Sequence, residues 1–316
     1  MWGKSKAVIR AMLLLAVLAV AAMGCGGGSS SSSTDLSGAD FIVGSKEFTE
    51  SQNLGYITLL ALEDAGATVE DQIGLAGTAA TREALESGDI DMYWEYTGTI
   101  WIDLLGHTKP IPDSKKQYEA AAKEDLEKNG LKLLEPAKFN NTYGLAIRKE
   151  EQKKLGVTKL SDLKGLAKDK PDEATVCVAS EFVSRDDGLP GMEKAYGFEF
   201  PKENISLFDA GVIYDRTDKG DPCNFGEVFT TDGRIAGLGL VPLQDDKHFF
   251  PIYNPALEMH ETTYKKYGKQ LDKIFTPIAK ALDAKTMQEL NTKVDVKGIP
   301  ADAVAQEWLQ KEGFID

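Results

Sequence analysis

From Asp40 onward, short apolar runs alternate with stretches in which apolar residues recur every three or four positions. Phe41-Ile42-Val43-Gly44 reads as a strand, and Leu54, Ile57, Leu60, Ala61 and Ala65 then fall on one face of a helix over residues 50–65. Ala79 to Ser87 predicts a second helix after a Gly-Thr turn, and Ile90 to Tyr96 a second strand. Thr142 to Ile147, Thr175 to Ala179 and Ile235 to Val241 predict further strands. Gln270 to Trp308 is helical in period almost throughout, interrupted near Gly298-Ile299-Pro300. Strands alternating with helices of this length predict βαβ units, a mainly parallel sheet and an α/β fold. In such sheets ligands bind beyond the carboxyl ends of the strands, so the loops there are where chemistry is sought.

Residues 1–24 break the pattern. Lys4, Lys6 and Arg10 precede an uncharged stretch from Ala11 to Gly24, and no acidic residue occurs before Asp35. That stretch falls short of the ~20 residues a spanning helix needs and suits the apolar region of a secretory signal peptide. It ends in Ala21-Ala22-Met23-Gly24-Cys25, which resembles the leader of a bacterial lipoprotein and implies lipidation of Cys25. Residues 25–39, with Gly26-Gly27-Gly28 and Ser29 to Ser33, read as a flexible tether, and acyl chains on Cys25 would hold the exported domain at the outer face of the cytoplasmic membrane. A simple signal peptide with a leftover cysteine is the alternative. Assigning Cys25 to lipid leaves Cys177 and Cys223, which an oxidising compartment is expected to join as a disulfide; two separately buried thiols are the alternative.

The whole chain has 316 residues with 42% hydrophobic, enough for a large core and against a disulfide-stapled or disordered protein. A formal net charge of −14 would repel phosphate backbones, so no nucleic acid is expected as a partner.

Candidate chemistry is sparse on the enzymatic side. Nucleophile elbow, phosphate loop and zinc-helix motifs are lacking, and His107, His248 and His260 share no ligand spacing. No catalytic residue, metal site or cofactor is expected. Aromatics, in contrast, gather where strands end: Tyr96 before Thr97-Gly98-Thr99, Tyr143 after Asn140-Asn141-Thr142, Phe229 before Thr230-Thr231-Asp232-Gly233, and Tyr253 in Phe250-Pro251-Ile252-Tyr253. Each alone reads as a core aromatic. Together at loop mouths they raise the possibility of a cage for a quaternary ammonium group, which has no N–H to donate and binds through ring faces.

Gly44-Ser45-Lys46-Glu47-Phe48-Thr49-Glu50 and Gly88-Asp89-Ile90-Asp91-Met92-Tyr93-Trp94-Glu95-Tyr96-Thr97-Gly98-Thr99 resemble the substrate-binding proteins of ABC transporters for glycine betaine, choline and related compatible solutes. The resemblance continues through Asn140-Asn141-Thr142-Tyr143, Ser180-Glu181-Phe182, Arg185-Asp186-Asp187-Gly188, Thr231-Asp232-Gly233-Arg234-Ile235 and Asp245-Asp246. It implies a two-lobed periplasmic-binding-protein-like fold of type II with a ligand cleft and two hinge crossovers. Lobe I would hold residues 40–142 and 253–316, and lobe II residues 143–252. Ligand would close the lobes, and the closed form, a monomer, would meet the ABC permease.

Residue by residue, the family's cage falls on Tyr96, Tyr143, Phe229 and Tyr253, with Phe229 where a Tyr is usual. Its carboxylate clamp falls on Lys46, Thr99 and Arg185. Two cations there imply a zwitterion with a carboxylate, glycine betaine or a related betaine, over bare choline; choline, carnitine and ergothioneine stay as alternatives of the same type. Ser51 and Gln52 follow Phe-Thr-Glu, where Gln directly is common. Without the resemblance, Lys46 reads as a surface lysine and Arg185 as a partner of Asp186 or Asp187. An exported choline-ester enzyme, the reading from a different class, would need a nucleophile and base that the sequence does not offer.

Overall fold

A computed structural model describes residues 34–316. The expected leader, Cys25 and most of the expected tether lie outside the described residues. No helix among those described is long and apolar enough to cross a membrane.

Two five-stranded sheets form two lobes. The first runs β2-β1-β3-β10-β4, with β1 Asp40–Lys46, β2 Thr68–Leu75, β3 Met92–Tyr96, β4 Leu131–Leu133 and β10 Pro255–His260. The second runs β7-β6-β8-β5-β9, with β5 Tyr143–Arg148, β6 Val176–Val178, β7 Ile205–Leu207, β8 Phe225–Phe229 and β9 Leu240–Pro242. The sheets are mixed, a correction to the mainly parallel expectation. β1 pairs in parallel with β2 and β3, and β6 with β7 and β8. β10 and β5 run antiparallel to both of their neighbours. These are the first strands laid down after each crossover, where the chain enters a sheet from the cleft side instead of returning through a helix.

The crossovers lie side by side. Asn141 N donates to Tyr253 O at 3.1 Å, Tyr253 N to Asn140 Oδ1 at 2.7 Å, and Asn254 Nδ2 to Phe139 O at 2.7 Å. Backbone that would otherwise be unpaired where the sheets stop is thereby satisfied.

The first helix spans Thr49–Asp64 and buries Leu54, Ile57, Ala61 and Leu62, as its apolar spacing requires. It covers a core that includes Phe41, Trp94, Leu257, Phe275 and Trp308. Trp94 Nε1 donates to Thr58 Oγ1 at 2.7 Å, so the one polar atom of that ring is not left unpaired. The second lobe has its own core, with Leu145, Ile147, Val176, Phe182 and Phe225.

Two element expectations are corrected. Ile235 to Val241 is not one strand: a short helix, Gly233–Gly237, precedes β9. Asp232 caps that helix by accepting from Arg234 N at 2.8 Å, and Gly239 at φ 67° reverses the chain into β9. The C-terminal helical stretch has a second break, so that helices Glu261–Ala281, Ala284–Asp295 and Ala301–Glu312 replace two. Asp283 makes that break by accepting from Thr286 N at 2.8 Å.

Candidate functional site

Strand register builds the centre of the cleft. Tyr143 opens β5, Phe229 closes β8, and the antiparallel ladder sets them directly opposite each other with ring centroids 5.1 Å apart. Tyr253 arrives from the second crossover and stands edge-on to Tyr143 at 5.4 Å and 90°. Gly98 makes room for it, because a Cβ there would lie 2.6 Å from the Tyr253 ring. Tyr96 ends β3 in the other lobe. All four rings line one cavity of about 850 Å³ between the lobes.

A fifth ring was missed in the sequence. Phe48 follows β1, stacks on Phe229 at 5.2 Å and 19°, and lies 6.0 Å from Tyr96, so it links the aromatics of the two lobes. Its place inside the Lys46-to-Glu50 motif was the available signal. Two of the tyrosine hydroxyls are held: Tyr96 donates to Glu50 Oε1 at 2.8 Å and Tyr253 to Asp187 Oδ2 at 2.7 Å.

Lys46, Thr99 and Arg185 line the same cavity. Lys46 is 4% exposed, so the surface-lysine alternative does not describe it. Both cations already have carboxylate partners. Lys46 Nζ donates to Glu95 at 2.7 Å and to Thr78 Oγ1 at 2.9 Å. Arg185 grips Asp187 through Nε and Nη2 at 2.7 Å each, reaches Thr99 Oγ1 at 3.4 Å, and donates through Nη1 to Glu181 at 2.8 Å. Of the two acids named as alternative partners for Arg185, Asp187 is the one engaged. The cations also cover ring faces, Lys46 over Tyr96 at 5.5 Å and Arg185 over Tyr143 at 5.7 Å.

Glu181 sits in the middle of this arrangement. Its Oε1 accepts from Thr78 Oγ1 of the first lobe and Arg185 Nη1 of the second, at 2.8 Å each. Burial acts to raise its pKa, but Lys46, Arg185 and the Thr78 hydroxyl together hold it below the usual carboxylate range. An ionised protein carboxylate therefore occupies the space between the two proposed clamp cations.

Sequence reasoning also passed over Glu50, the last residue of the first motif. Its carboxylate accepts from Tyr96 and Asn291 of the first lobe, Asn141 of a crossover and Thr231 of the second lobe. Burial pushes its pKa up to about 7 against those hydrogen bonds. The sulfurs of Cys177 on β6 and Cys223 before β8 lie 2.06 Å apart, with both residues fully buried.

Comparison with known proteins places this geometry in a family. The profile of the substrate-binding domain of ABC-type glycine betaine transport systems matches residues 39–311. The glycine-betaine-binding protein of Pseudomonas aeruginosa is 36% identical over 279 residues, covering 87% of this chain and 88% of that protein. The glycine betaine-binding protein YehZ of Escherichia coli is 34% identical over 277 residues, covering 86% and 90%. A solved structure of apo YehZ superposes with a TM-score of 0.64 at 33% identity, over 87% of this chain and 99% of that one. A crystal structure described as a glycine betaine/carnitine/choline ABC transporter superposes at 0.68 with 28% identity, over 88% and 100%. With its two lobes and the cavity between them, the chain belongs to the family of substrate-binding domains of ABC-type glycine betaine transport systems.

Proposed function

We propose that this protein captures a quaternary ammonium compound, glycine betaine or a related betaine, between its lobes and delivers it to an ABC permease. The observation that carries the reading is the convergence of Tyr96, Tyr143, Phe229 and Tyr253, drawn from both lobes and a crossover, on one cavity. Ring faces attract a cation that cannot hydrogen-bond, by ~0.5–2 kcal/mol each, and several rings provide a shape that primary amines do not fill. Lys46, Thr99 and Arg185 take the other end of the ligand. For a betaine this requires its carboxylate to displace Glu181 from Arg185 Nη1, or to bridge the remaining donors beside it. Choline, carnitine and ergothioneine are the alternatives of the same type.

Residues 40–142 with 253–316 act as one lobe and 143–252 as the other, closing about the paired crossovers when ligand enters. The protein works as an exported monomer, held to the membrane by lipid on Cys25, with Cys177 and Cys223 joined as a disulfide. Calorimetric titration of wild type and Tyr143→Ala with glycine betaine, choline and carnitine tests the central claim. The variant is expected to lose at least about tenfold in affinity for whichever ligand wild type binds; equal affinity in both proteins would remove the cage.

A further inference from the structure

Among the buried acids around the cleft, one has neither an ion pair nor more than a single hydrogen bond among the described residues. Glu95 is paired with Lys46, Asp187 and Glu181 with Arg185, Asp232 with Arg234, and Glu50 takes four donors. Glu227 is 3% exposed and lines the ligand cavity, yet its one hydrogen bond among the described residues is from Ala179 N to Oε2 at 2.7 Å. Arg185, which acts on it through space, is already bound by Asp187 and Glu181.

The position of Glu227 follows from strand geometry. Side chains alternate along β8, so Phe225, Glu227 and Phe229 share one face. The ladder pairs Tyr143 with Phe229 and Leu145 with Glu227, which places the carboxyl two pairs along, next on the same face to two rings of the cage and diagonal to Tyr143. Buried ionisable groups are ordinarily paired, and an unpaired acid on a ligand wall calls for a partner that arrives from outside.

We propose that Glu227 is the counter-carboxylate of the bound ammonium: the rings supply the faces and this residue supplies the full negative charge. The inference rests on the quaternary ammonium reading above and deepens it, since it makes the net positive end of the ligand, and not its apolar bulk alone, the recognised feature. A permanent cation has no N–H to share, so the contact is Coulombic, made stronger by the low dielectric of the closed cleft.

The surroundings determine how the acid behaves when the cleft holds no ligand. Burial raises its pKa to about 8, with Ala179 N–H opposing, Glu181 adding to the rise and Arg185 opposing. Tyr143 on β5 and Tyr214 on the helix Ala210–Lys219 are both neutral, their pKa values pushed well up by burial. Glu181 is ionised, and Arg185 carries its charge throughout. At pH 7 Glu227 therefore holds a proton, and a cation entering the cage favours the ionised form and expels it. The proton leaves to solvent, and affinity for a permanent cation rises with pH.

Titration calorimetry on the mature chain decides the matter, with choline, glycine betaine and the uncharged isostere 3,3-dimethylbutan-1-ol as probes. Wild type and Glu227→Gln are compared at pH 6 and pH 9, and at pH 7 in two buffers of different ionisation enthalpy. Wild type is expected to bind the cationic probes about tenfold more tightly at pH 9 than at pH 6 and to release a proton at pH 7. Glu227→Gln should bind them with no proton release and a flattened pH profile, while affinity for the isostere is the same in both proteins, which also reports an intact cleft. A variant that keeps the wild-type profile and proton release overturns the role of Glu227 and leaves the cage standing. Wild type that binds neither choline nor glycine betaine, or Tyr143→Ala that binds them unchanged, overturns the cage and this proposal with it.

Discussion

Replacing Glu50 with Gln should change how the stability of this protein depends on pH. In the folded protein the Glu50 carboxyl is fully buried and its pKa rises from 4.5 to about 7. At 1.36 kcal/mol per pH unit that rise corresponds to about 3 kcal/mol. A carboxyl whose folded pKa is raised adds its stability in full below pH 4.5 and loses it as pH climbs through about 7. Wild type therefore loses about 3 kcal/mol from this one residue between pH 4.5 and pH 8, and a glutamine, which does not titrate, loses none. The amide still accepts from Tyr96 or Asn141, but its NH₂ meets Thr231 and Asn291, which donate to the carboxylate in wild type. Thr231 can turn its hydroxyl to accept, and Asn291 keeps its bond to Thr231 O at 3.0 Å. Glu50→Gln should thus be the less stable protein at pH 5 and draw level with wild type or pass it by pH 8. At about 2 °C of melting temperature per kcal/mol for a chain of this size, the gap should move by about 5 °C between those pH values. Differential scanning calorimetry of both proteins measures it. Glu227, Asp295 and Glu258 also have raised pKa values, but both proteins contain them and they cancel in the difference. A gap that is the same at pH 5 and pH 8 would refute the reasoning.

Three further outcomes are expected. Arg82→Met should cost about 3–5 kcal/mol in denaturant unfolding, since it strands the carboxylate of Asp125, fully buried and bonded to the guanidinium at 2.5 Å, and removes the bond to Glu258 at 2.9 Å; a loss under about 1 kcal/mol would mean that Asp125 carries no charge. Cys177→Ser should lower stability by about 4 kcal/mol, the loop entropy released when a cross-link over a separation of 46 residues is removed. Wild type with the same stability under reducing and oxidising conditions would show the pair to be thiols. Arg185→Ala should weaken glycine betaine by at least about tenfold more than choline, because only betaine presents a carboxylate to the guanidinium; equal losses would confine Arg185 to holding Asp187 and Glu181.

Much of the site was legible because motif residues sit next to strand ends. Tyr96 and Tyr143 terminate or open strands whose apolar runs are plain in the sequence, and a strand end is where a side chain meets the cleft; the strand that Phe229 closes was not among those the pattern predicted. Glu181 and Glu227 were not legible as partners of the ligand region. An acid in a sequence carries no mark of whether a cation lies across a fold, and here Arg185 is claimed by Asp187 and Glu181 while Glu227 is left without one. The strand expected over Ile235 to Val241 failed for a related reason: its apolar run suits a strand, but a capped turn of helix won locally through the hydrogen bond that the Asp232 carboxylate accepts from Arg234 N.

The sequence by itself determined the α/β class and pointed to the four aromatic residues that line the cavity, because period, turn residues and motif spacing are local and survive in one dimension. Tertiary structure decided the rest: the mixed direction of the sheets, the register that sets Tyr143 against Phe229, the four-donor grip on Glu50 and the unpaired state of Glu227. Each depends on which distant groups share a low-dielectric space, and the strength of a buried charge or hydrogen bond is fixed by those neighbours and not by the residue that carries it.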